Sequence, residues 1–352
     1  MKRILAALTV LLPLFCGCNH NQETPDEPHP GPSKDAPAFA KGADISWVTE
    51  MESNGYKFYD ASGHEMECTA LLRSIGFNSI RLRVWVNPQG GWCAKEDVLV
   101  KARRAMDLGM NIMIDFHYSD WWADPGKQNI PAAWKNYSLE QLVAAVSDHT
   151  EEVLGYLEDN GIDVTWVQVG NETTTGMLWP VGKLTDEDPY SFCKLFNSGY
   201  DAVKRVYPDA LVIMHRDNGW DISGNNWYWD LVNKGGARYD MIGFSLYPSY
   251  WDESAGEYPD WRSKCRTFVS YISLCHVNYD KPVMLVEFGM PASQPDKAED
   301  ALRFLLDGTA SYDWFKGIFF WEPESDGKNM RYDYGAFKDG TPTSALNPFN
   351  DR

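Results

Sequence analysis

Residues 139–170 read LEQLVAAVSDHTEEVLGYLEDNGIDVTWVQVG, a helix pattern followed by a strand pattern. From Leu139 to Asn160 the apolar residues recur at spacings of three and four, which places them on one face of a helix. Ser138 and Gln141 have the spacing of a capping box, and Gly161 stands where glycine commonly ends a helix. The pattern therefore predicts an amphipathic helix.

The same sequence of helix, glycine and strand recurs along the chain. Gly76, Gly109 and Gly161 each precede an apolar residue, an Asn or Asp, and then a strand pattern. The runs that read as strands are mostly continuous in apolar residues, which is typical of a parallel sheet covered on both faces. They are Gly42–Trp47, Ser79–Val86, Asn111–Tyr118, Val164–Gly170, Ala210–His215, Met241–Tyr247, Pro282–Phe288 and Gly317–Trp321.

Eight strand–helix units fit within residues 38–352. We therefore predict an α/β fold in which a single (β/α)8 TIM barrel with enlarged βα loops occupies this range. The alternative is an open doubly wound sheet, which would need a glycine-rich phosphate turn after the first strand. The segment VTEMESNGYKFYD at 48–60 contains no such turn.

The first 17 residues resemble a lipoprotein signal peptide. Two basic residues precede the apolar run Ile4–Phe15, which is too short to span a bilayer. The following motif, Phe15-Cys16-Gly17-Cys18, is similar to a bacterial lipobox. We expect residues 1–17 to be removed and Cys18 to carry lipid, with secretion without lipid as the alternative.

Residues 18–37 contain five prolines and no large apolar side chain, so we expect a semi-extended tether. Together with Cys18, the tether predicts an exported protein that is lipid-anchored to a bacterial membrane and folds outside it. Because no feature of the sequence indicates an oligomer, we expect a monomer.

The composition excludes some classes of partner. The chain has 32 basic and 50 acidic residues and a formal net charge of −18, which disfavours nucleic acid, polyanionic substrates and direct docking on an anionic membrane. Aromatic residues make up 14%, including 15 Trp and 18 Tyr. Such an excess of Trp points to a surface that stacks flat, ring-shaped ligands.

Cysteine usage leaves two alternatives open. Apart from Cys16 and the predicted lipidation site Cys18, five cysteines remain, an odd number without metal-site spacing: Cys68, Cys93, Cys193, Cys265 and Cys275. In an exported protein Cys68–Cys93 or Cys265–Cys275 could form a disulfide. The alternative is that the thiols are buried as small apolar groups.

Two carboxylates follow strand patterns, Glu172 and Glu287. A pair of carboxylates with stacking aromatics and no metal is what glycoside hydrolysis requires. One carboxyl must be protonated and the other ionised, and Arg83 is the cation expected to keep the second one ionised. Asn171 is a natural donor to a sugar 2-hydroxyl, whereas Asp115 is interpreted as a structural acid.

A metallohydrolase barrel is the competing interpretation of the histidines. His117 and His215 could be zinc ligands, but the chain has no His-x-His pattern and only seven His. We therefore expect no catalytic metal.

Seven motifs resemble the endo-β-1,4-galactanases of glycoside hydrolase family 53, within the clan of retaining (β/α)8 glycosidases. The similarity covers residues 38–349. The motifs are SIRLRVWVNP at 79–88, DFHYSDWWADPGKQ at 115–128, VQVGNE at 167–172, LWPVG at 178–182, IMHRDNGW at 213–220, VEFGMP at 286–291 and FFWEPE at 319–324.

The resemblance implies that Glu172 is the acid/base, Glu287 the nucleophile, and that hydrolysis retains the anomeric configuration with carboxyls about 5 to 5.5 Å apart. The substrate-binding residues that it implies, or that lie at strand ends, are Arg83, His117, Trp122, Asn171, His215, Tyr247 and Trp321. Arg83 and Tyr247 would hold Glu287, and the peptide bond Trp321–Glu322 would be cis.

The implied substrate is the neutral β-1,4-galactan of pectin side chains and its galacto-oligosaccharides. No cofactor is implied. Some bacterial relatives carry a structural calcium, but no loop of this chain has convincing ligand spacing. Two alternatives stay open: a retaining barrel glycosidase that cuts another neutral β-glycan (mannan, glucan or xylan), and a non-catalytic glycan-binding lipoprotein.

Overall fold

Parallel strands follow one another around a closed barrel in the computed structural model, which describes residues 36–250 and 256–350. The barrel strands are β1 (Ala40–Asp44), β2 (Ser79–Val84), β3 (Asn111–Phe116), β4 (Trp166–Val169), β5 (Leu211–Arg216), β6 (Met241–Leu246), β7 (Val283–Phe288) and β8 (Phe315–Trp321). Strand β8 pairs with β1, so the sheet has no open edge. The predicted TIM barrel is confirmed, and the open sheet is wrong.

Helices lie between the strands. They are α1 (Val48–Ser53), α2 (Cys68–Ser74), α3 (Lys95–Asp107), α4 (Leu139–Asp159), α5 (Tyr190–Val206), α6 (Ile222–Lys234), α7 (Trp261–Tyr279), α8 (Pro295–Thr309) and α9 (Asn347–Asn350). The short strands β9 (Phe337–Lys338) and β10 (Thr341–Pro342) pair in the segment after β8. In the described ranges, no helix is long and apolar enough to cross a membrane.

The predicted signal peptide, residues 1–17, lies outside the described residues, as does the tether up to residue 35. The lipidation site predicted at Cys18 therefore stays a prediction.

Helix α4 forms where the apolar spacing from Leu139 to Asn160 predicts it. The Ser138 hydroxyl accepts a hydrogen bond from the backbone N–H of Gln141, and the Gln141 side chain accepts one from the backbone N–H of Ser138. Leu142, Val146 and Leu154, on the predicted apolar face, are fully buried. The capping box and the helical period thus act together, as the sequence indicates.

The barrel interior has an apolar layer below a polar layer. Met113, Trp166 and Ile213 belong to the buried cluster inside the barrel. Two residues further along the same strands stand Asp115, Gln168 and His215, which are also buried. Side chains two apart in a strand share a face, so this order places polar groups above an apolar floor, towards the carboxyl ends of the strands.

A bulge in β7 aims Glu287 into the barrel. Phe244 of β6 pairs with Leu285, and Ser245, the next residue, pairs with Glu287, so Val286 is the extra residue. Val286 packs in the interior cluster, and simple alternation would then turn Glu287 outward. The bulge overrides the alternation and brings the Glu287 carboxylate into contact with Arg81 of β2.

The structure decides between the two alternatives for the cysteines and corrects the prediction for one peptide bond. All five described cysteines are free and buried, so the Cys68–Cys93 and Cys265–Cys275 disulfides are wrong and the buried-thiol alternative is confirmed. Within the described residues the cis peptide bond is Trp179–Pro180, so the predicted cis bond at Trp321–Glu322 is wrong. Glu322 instead has a positive φ of 44° and donates its N–H to the carbonyl oxygen of Asp44 at 2.9 Å.

Candidate active site

A cleft of about 810 Å³ opens at the carboxyl ends of the barrel strands. The predicted site residues that line it are His117, Trp122, Asn171, Glu172, Tyr247, Glu287 and Trp321. Trp47, Ser245, Tyr250 and Tyr332 join them. The two glutamates, far apart along the chain, therefore face one cavity.

Arg81 is the cation that pairs with Glu287. Its guanidinium lies 2.8 Å from Glu287 Oε1, 2.7 Å from Asp44 and 3.0 Å from Asp115. Burial would lower the pKa of Arg81, but these three carboxylates raise it above its usual range. Arg81 is therefore a permanent positive charge beneath Glu287, and its side chain is 1% exposed.

This contact corrects the sequence interpretation, which assigned the role to Arg83. Both arginines point into the barrel because they are two residues apart in β2. Arg83 lies one step nearer the cleft and pairs instead with Glu322, at 2.8 Å. The second predicted partner of Glu287 is in place, since the Tyr247 hydroxyl donates to Glu287 Oε2 at 3.1 Å.

Glu172 ends a chain of hydrogen bonds that begins at His215. The Ser245 hydroxyl donates to Glu172 Oε1 at 2.6 Å, so it must accept the proton of His215 Nε2, which lies 2.8 Å away. His215 Nδ1 then accepts from the Glu172 backbone N–H at 3.2 Å and from the Gln168 amide at 2.9 Å. Burial, reinforced by the Arg81 charge, lowers the pKa of His215, which agrees with a neutral ring.

The two glutamates differ in proton affinity. Burial raises the pKa of Glu172 to about 8, and the Glu287 charge adds to this shift. Burial also raises the pKa of Glu287, to about 7, although the Arg81 charge acts in the opposite direction. The two carboxyls titrate as a pair. Since Glu287 alone touches Arg81, the proton that they share resides on Glu172.

Arg81 and Ala123 hold Asn171, and Asp115 and His117 contact these two residues in turn. Burial would raise the pKa of Asp115, but Arg81 and His117 outweigh it and lower that pKa to about 2. His117 Nε2 lies 3.1 Å from Asp115, and Nδ1 accepts the backbone N–H of Ala123 at 3.0 Å. The Asn171 amide oxygen accepts from Arg81 at 2.9 Å, and its NH₂ group donates to the Ala123 carbonyl.

Aromatic rings form one wall of the cleft. Trp47 packs edge-on against Trp122 and Trp321, with ring centroids 5.7 and 5.3 Å apart, and Trp122 lies 5.8 Å from Trp321. The Arg83 guanidinium lies 4.2 Å from the Trp122 centroid, behind the wall. Glu322 connects Arg83 to the aromatic wall, because it pairs with Arg83 and accepts the backbone N–H of Trp47 at 3.2 Å.

Two residues that the sequence assigns to substrate binding do not line the cleft. Arg83 is 1% exposed and His215 is fully buried, and neither lines the cavity. Sequence reasoning missed Ser245 and Glu322. Glu322 follows β8 just as Glu172 and Glu287 follow apolar runs, so its position at a strand end was a usable signal. Ser245 carried none, because serine is common everywhere.

Within residues 36–250 and 256–350, no group of three or more His, Cys, Asp or Glu side chains is arranged to hold a metal ion. His117 and His215 make their described contacts with protein groups, as given above. The chemistry that the cleft residues can perform is acid, base and nucleophilic chemistry by paired carboxyls.

The sequence is similar to that of a known enzyme family. A model described as glycosyl hydrolase family 53 matches residues 40–313. A probable arabinogalactan endo-β-1,4-galactanase A from Neosartorya fischeri is 32% identical over 299 residues, covering 82% of this chain and 77% of that protein. An uncharacterised protein from Niallia circulans is 35% identical over 270 residues, covering 74% of this chain and 71% of its own.

Solved structures of the same family superpose on this chain. A structure from a study of two fungal β-1,4-galactanases superposes with a TM-score of 0.79 at 28% identity, covering 89% of this chain and 99% of that chain. The family 53 catalytic domain of Ignisphaera aggregans gives a TM-score of 0.75 at 28% identity, covering 90% of this chain and 97% of that one. The chain therefore belongs to glycosyl hydrolase family 53.

Proposed function

We propose that the protein is a retaining endo-β-1,4-galactanase, in which Glu172 is the acid/base and Glu287 the nucleophile. The observation that carries the proposal is the asymmetry of the two carboxyls in one cleft. Glu287 is ion-paired with Arg81, whereas Glu172 is bonded to a neutral hydroxyl and has the higher pKa. A retaining glycosidase needs that division between an ionised and a protonated carboxyl.

The first step forms a glycosyl ester. The Glu287 carboxylate attacks the anomeric carbon of the galactosyl unit, and the bond from that carbon to the leaving oxygen breaks. Glu172 gives its proton to this oxygen, which leaves as a hydroxyl. Arg81 keeps Glu287 ionised beforehand, and Asn171, at the edge of the same cleft, is placed to bond the sugar 2-hydroxyl.

The second step reverses the roles. Once Glu287 is esterified, its negative charge is gone, so the pKa of Glu172 falls and its carboxylate can act as a base. Glu172 takes a proton from water, the water oxygen bonds to the anomeric carbon, and the ester bond to Glu287 breaks. Two displacements on one carbon retain its configuration.

The proposed substrate is the neutral galactan side chain of pectin. The names of the family relatives support β-1,4-galactan, and the cleft offers stacking rings at Trp122 and Trp321 for a sugar face. The net charge of −18 repels an acidic pectin backbone and leaves the uncharged side chain as the favoured partner.

The test is hydrolysis of linear β-1,4-galactan, with NMR detection of the anomer formed first. We expect the β-anomer first, and loss of about 10³-fold or more in kcat for Glu172→Gln and for Glu287→Gln. The exposed Glu140→Gln serves as the matched control. An α-anomer as first product, or wild-type turnover by Glu287→Gln, would contradict the mechanism.

Two other functions are outcomes of the same test. Preference for mannan, glucan or xylan over galactan would assign a different neutral β-glycan to the same chemistry. Galactan binding without turnover, even at stoichiometric enzyme, would indicate a glycan-binding lipoprotein. A binding protein does not explain why one cleft holds a protonated and an ionised carboxyl together. Another retaining glycosidase does explain it, and the names of the family relatives are what favour galactan over the other glycans.

The proposal includes export and a lipid anchor at Cys18, which the motif at 15–18 supports. In the bacterial host, Cys18→Ser should release the protein from the membrane fraction and abolish labelling by a radioactive fatty acid. Cys16→Ser is the matched control. Membrane retention and labelling in Cys18→Ser would contradict the anchor.

A further inference from the structure

We propose that a second groove, beside the catalytic cleft, binds an additional stretch of the same galactan chain. The inference rests on the proposed function. The groove has a volume of about 750 Å³ and lies between α4 and the loop that joins β2 to α3. It shares no lining residue with the catalytic cleft.

The lining of this groove has the composition of a sugar site. Tyr137 and Trp134 supply aromatic rings, and the Tyr137 side chain is 38% exposed. Gln141, Asp148 and Glu152 add amide and carboxylate groups on neighbouring turns of α4. Aromatic faces together with planar polar groups bind the apolar face and the hydroxyls of a sugar ring.

A continuous row of indole rings connects the two cavities. Trp85 lines the groove, and its ring lies 5.3 Å from Trp122, which lines the catalytic cleft. Trp121 packs on Trp85 in a tilted arrangement, with centroids 4.5 Å apart and ring planes at 37°. Trp85 is buried, whereas Trp121 is 55% exposed. Trp121 also lies 6.2 Å from Trp122, so it offers an exposed aromatic face between the two cavities on which a glycan can stack.

The charge of the groove favours a neutral occupant. It contains three carboxylates, on Glu96, Asp148 and Glu152, and one cation, Lys95, which is paired with Glu152. A polyuronate would face net negative charge in the groove, whereas galactan carries no charge. The same argument excludes nucleic acid, which needs a basic surface.

The groove should matter for long chains and not for short ones. We expect β-1,4-galactotetraose to be held by the catalytic cleft alone, whereas a polymer can fill both cavities at once. Because the second contact is then intramolecular, it raises the affinity for polymer without taking part in the chemistry.

The experiment compares KM and kcat on linear galactan and on galactotetraose for Tyr137→Ala. We expect KM on the polymer to rise about three- to tenfold, as loss of one stacked ring implies. We expect kcat on the polymer, and both constants on the tetrasaccharide, to stay at the wild-type values, which also shows that the variant is folded.

A blocking variant and a control complete the design. Ala144→Arg fills the groove from an exposed position on α4 and should raise the polymer KM in the same way. Tyr190→Ala removes a 53% exposed tyrosine that lines neither cavity and should change nothing. Wild-type KM on polymer in both groove variants would overturn the inference. Absence of galactan hydrolysis by the wild-type protein would instead overturn the proposed function.

Discussion

Arg81 is the residue on which the difference between the two glutamates depends. It contacts Glu287, Asp44 and Asp115 at once, and its Nε donates to Gln168 at 2.6 Å. A lysine cannot reproduce this fork, because it carries a single charged nitrogen on a flexible stem. The geometry of Arg81, and not only its charge, therefore holds Glu287 in place.

We expect Arg81→Lys to lower kcat/KM about 100-fold, in the range found for the loss of one stabilising donor. The Arg81 charge lowers the pKa of Glu287, so weakening the contact raises that pKa. Since Glu287 must be ionised, the acidic limb of the pH profile of kcat/KM should move to higher pH. Arg103→Lys, on the exposed side of α3, is the control. An unmoved acidic limb would show that Arg81 does not act on Glu287.

Ser245 influences the alkaline limb of the pH profile, because it donates a hydrogen bond to Glu172. Its hydrogen bond lowers the pKa of Glu172, so its removal in Ser245→Ala raises that pKa. Because Glu172 must hold a proton, we expect the alkaline limb to move up by about one pH unit, with the acidic limb unchanged. Ser198→Ala on α5 is the control. A shift of the alkaline limb to lower pH would contradict the assigned hydrogen bond.

The sequence predicted the two glutamates that the structure brings into one cleft, but not the contacts that Arg81 and Ser245 make with them. Glu172 and Glu287 stand out because an acid after an apolar strand is conspicuous. Arg81 and Arg83 could not be separated, since they share one face of β2 and differ only in depth. Ser245 reaches Glu172 because its strand, β6, pairs with β7 in a register that sets Ser245 opposite Glu287. Such a register is set by pairing across the sheet, which a single sequence does not show.

At the scale of elements, the strands were predictable because burial on both faces leaves continuous apolar runs. Their ends shifted by up to about three residues, because a strand ends where its neighbour stops pairing. The bulge at Val286 was not predictable, since the alternating pattern alone turns Glu287 away from the barrel. Pairing between β6 and β7 therefore decides the direction of the Glu287 side chain.

Strands β1 and β8 pack closely where Gly42 pairs with Phe319. A Cβ at Gly42 would lie 2.1 Å from the Phe319 ring, so only glycine fits at this point of β1. We expect Gly42→Ala to reduce the free energy of unfolding by about 1–3 kcal/mol, as overpacking does, measured by urea denaturation. In a double-mutant cycle, Phe319→Leu should relieve much of this loss. Additive effects of the two changes would show that the ring is not the obstacle.

For the whole molecule, eight repeating strand–helix units in the sequence predict a closed barrel. The sequence does not show which carboxyl groups the fold removes from water. Glu287, Glu322 and Glu324 are buried around the mouth of the barrel, and Glu172 is half-buried there. Removal from water raises the pKa of each of the four. Glu324 is fully buried, and the neighbouring Glu322 charge adds to its shift. Each of these groups binds a proton more tightly in the folded chain than in the unfolded chain.

The stability of the protein should therefore fall as the pH rises from about 4.5, the usual value for Glu, to about 8, where Glu172 titrates. In this window the folded chain holds more protons than the unfolded one, so each raised pH unit costs up to about 1.4 kcal/mol per excess proton. Below pH 4 the sign reverses, because the lowered pKa of Asp115 favours the folded state only while that group is ionised. Glu324→Gln removes one such proton and should flatten the decline in the free energy of unfolding, measured by urea denaturation between pH 4.5 and 8. Glu140→Gln, an exposed change of equal charge, controls for the net charge. If both variants follow the same slope, the decline arises from general charge repulsion and not from the carboxyls buried at the barrel mouth.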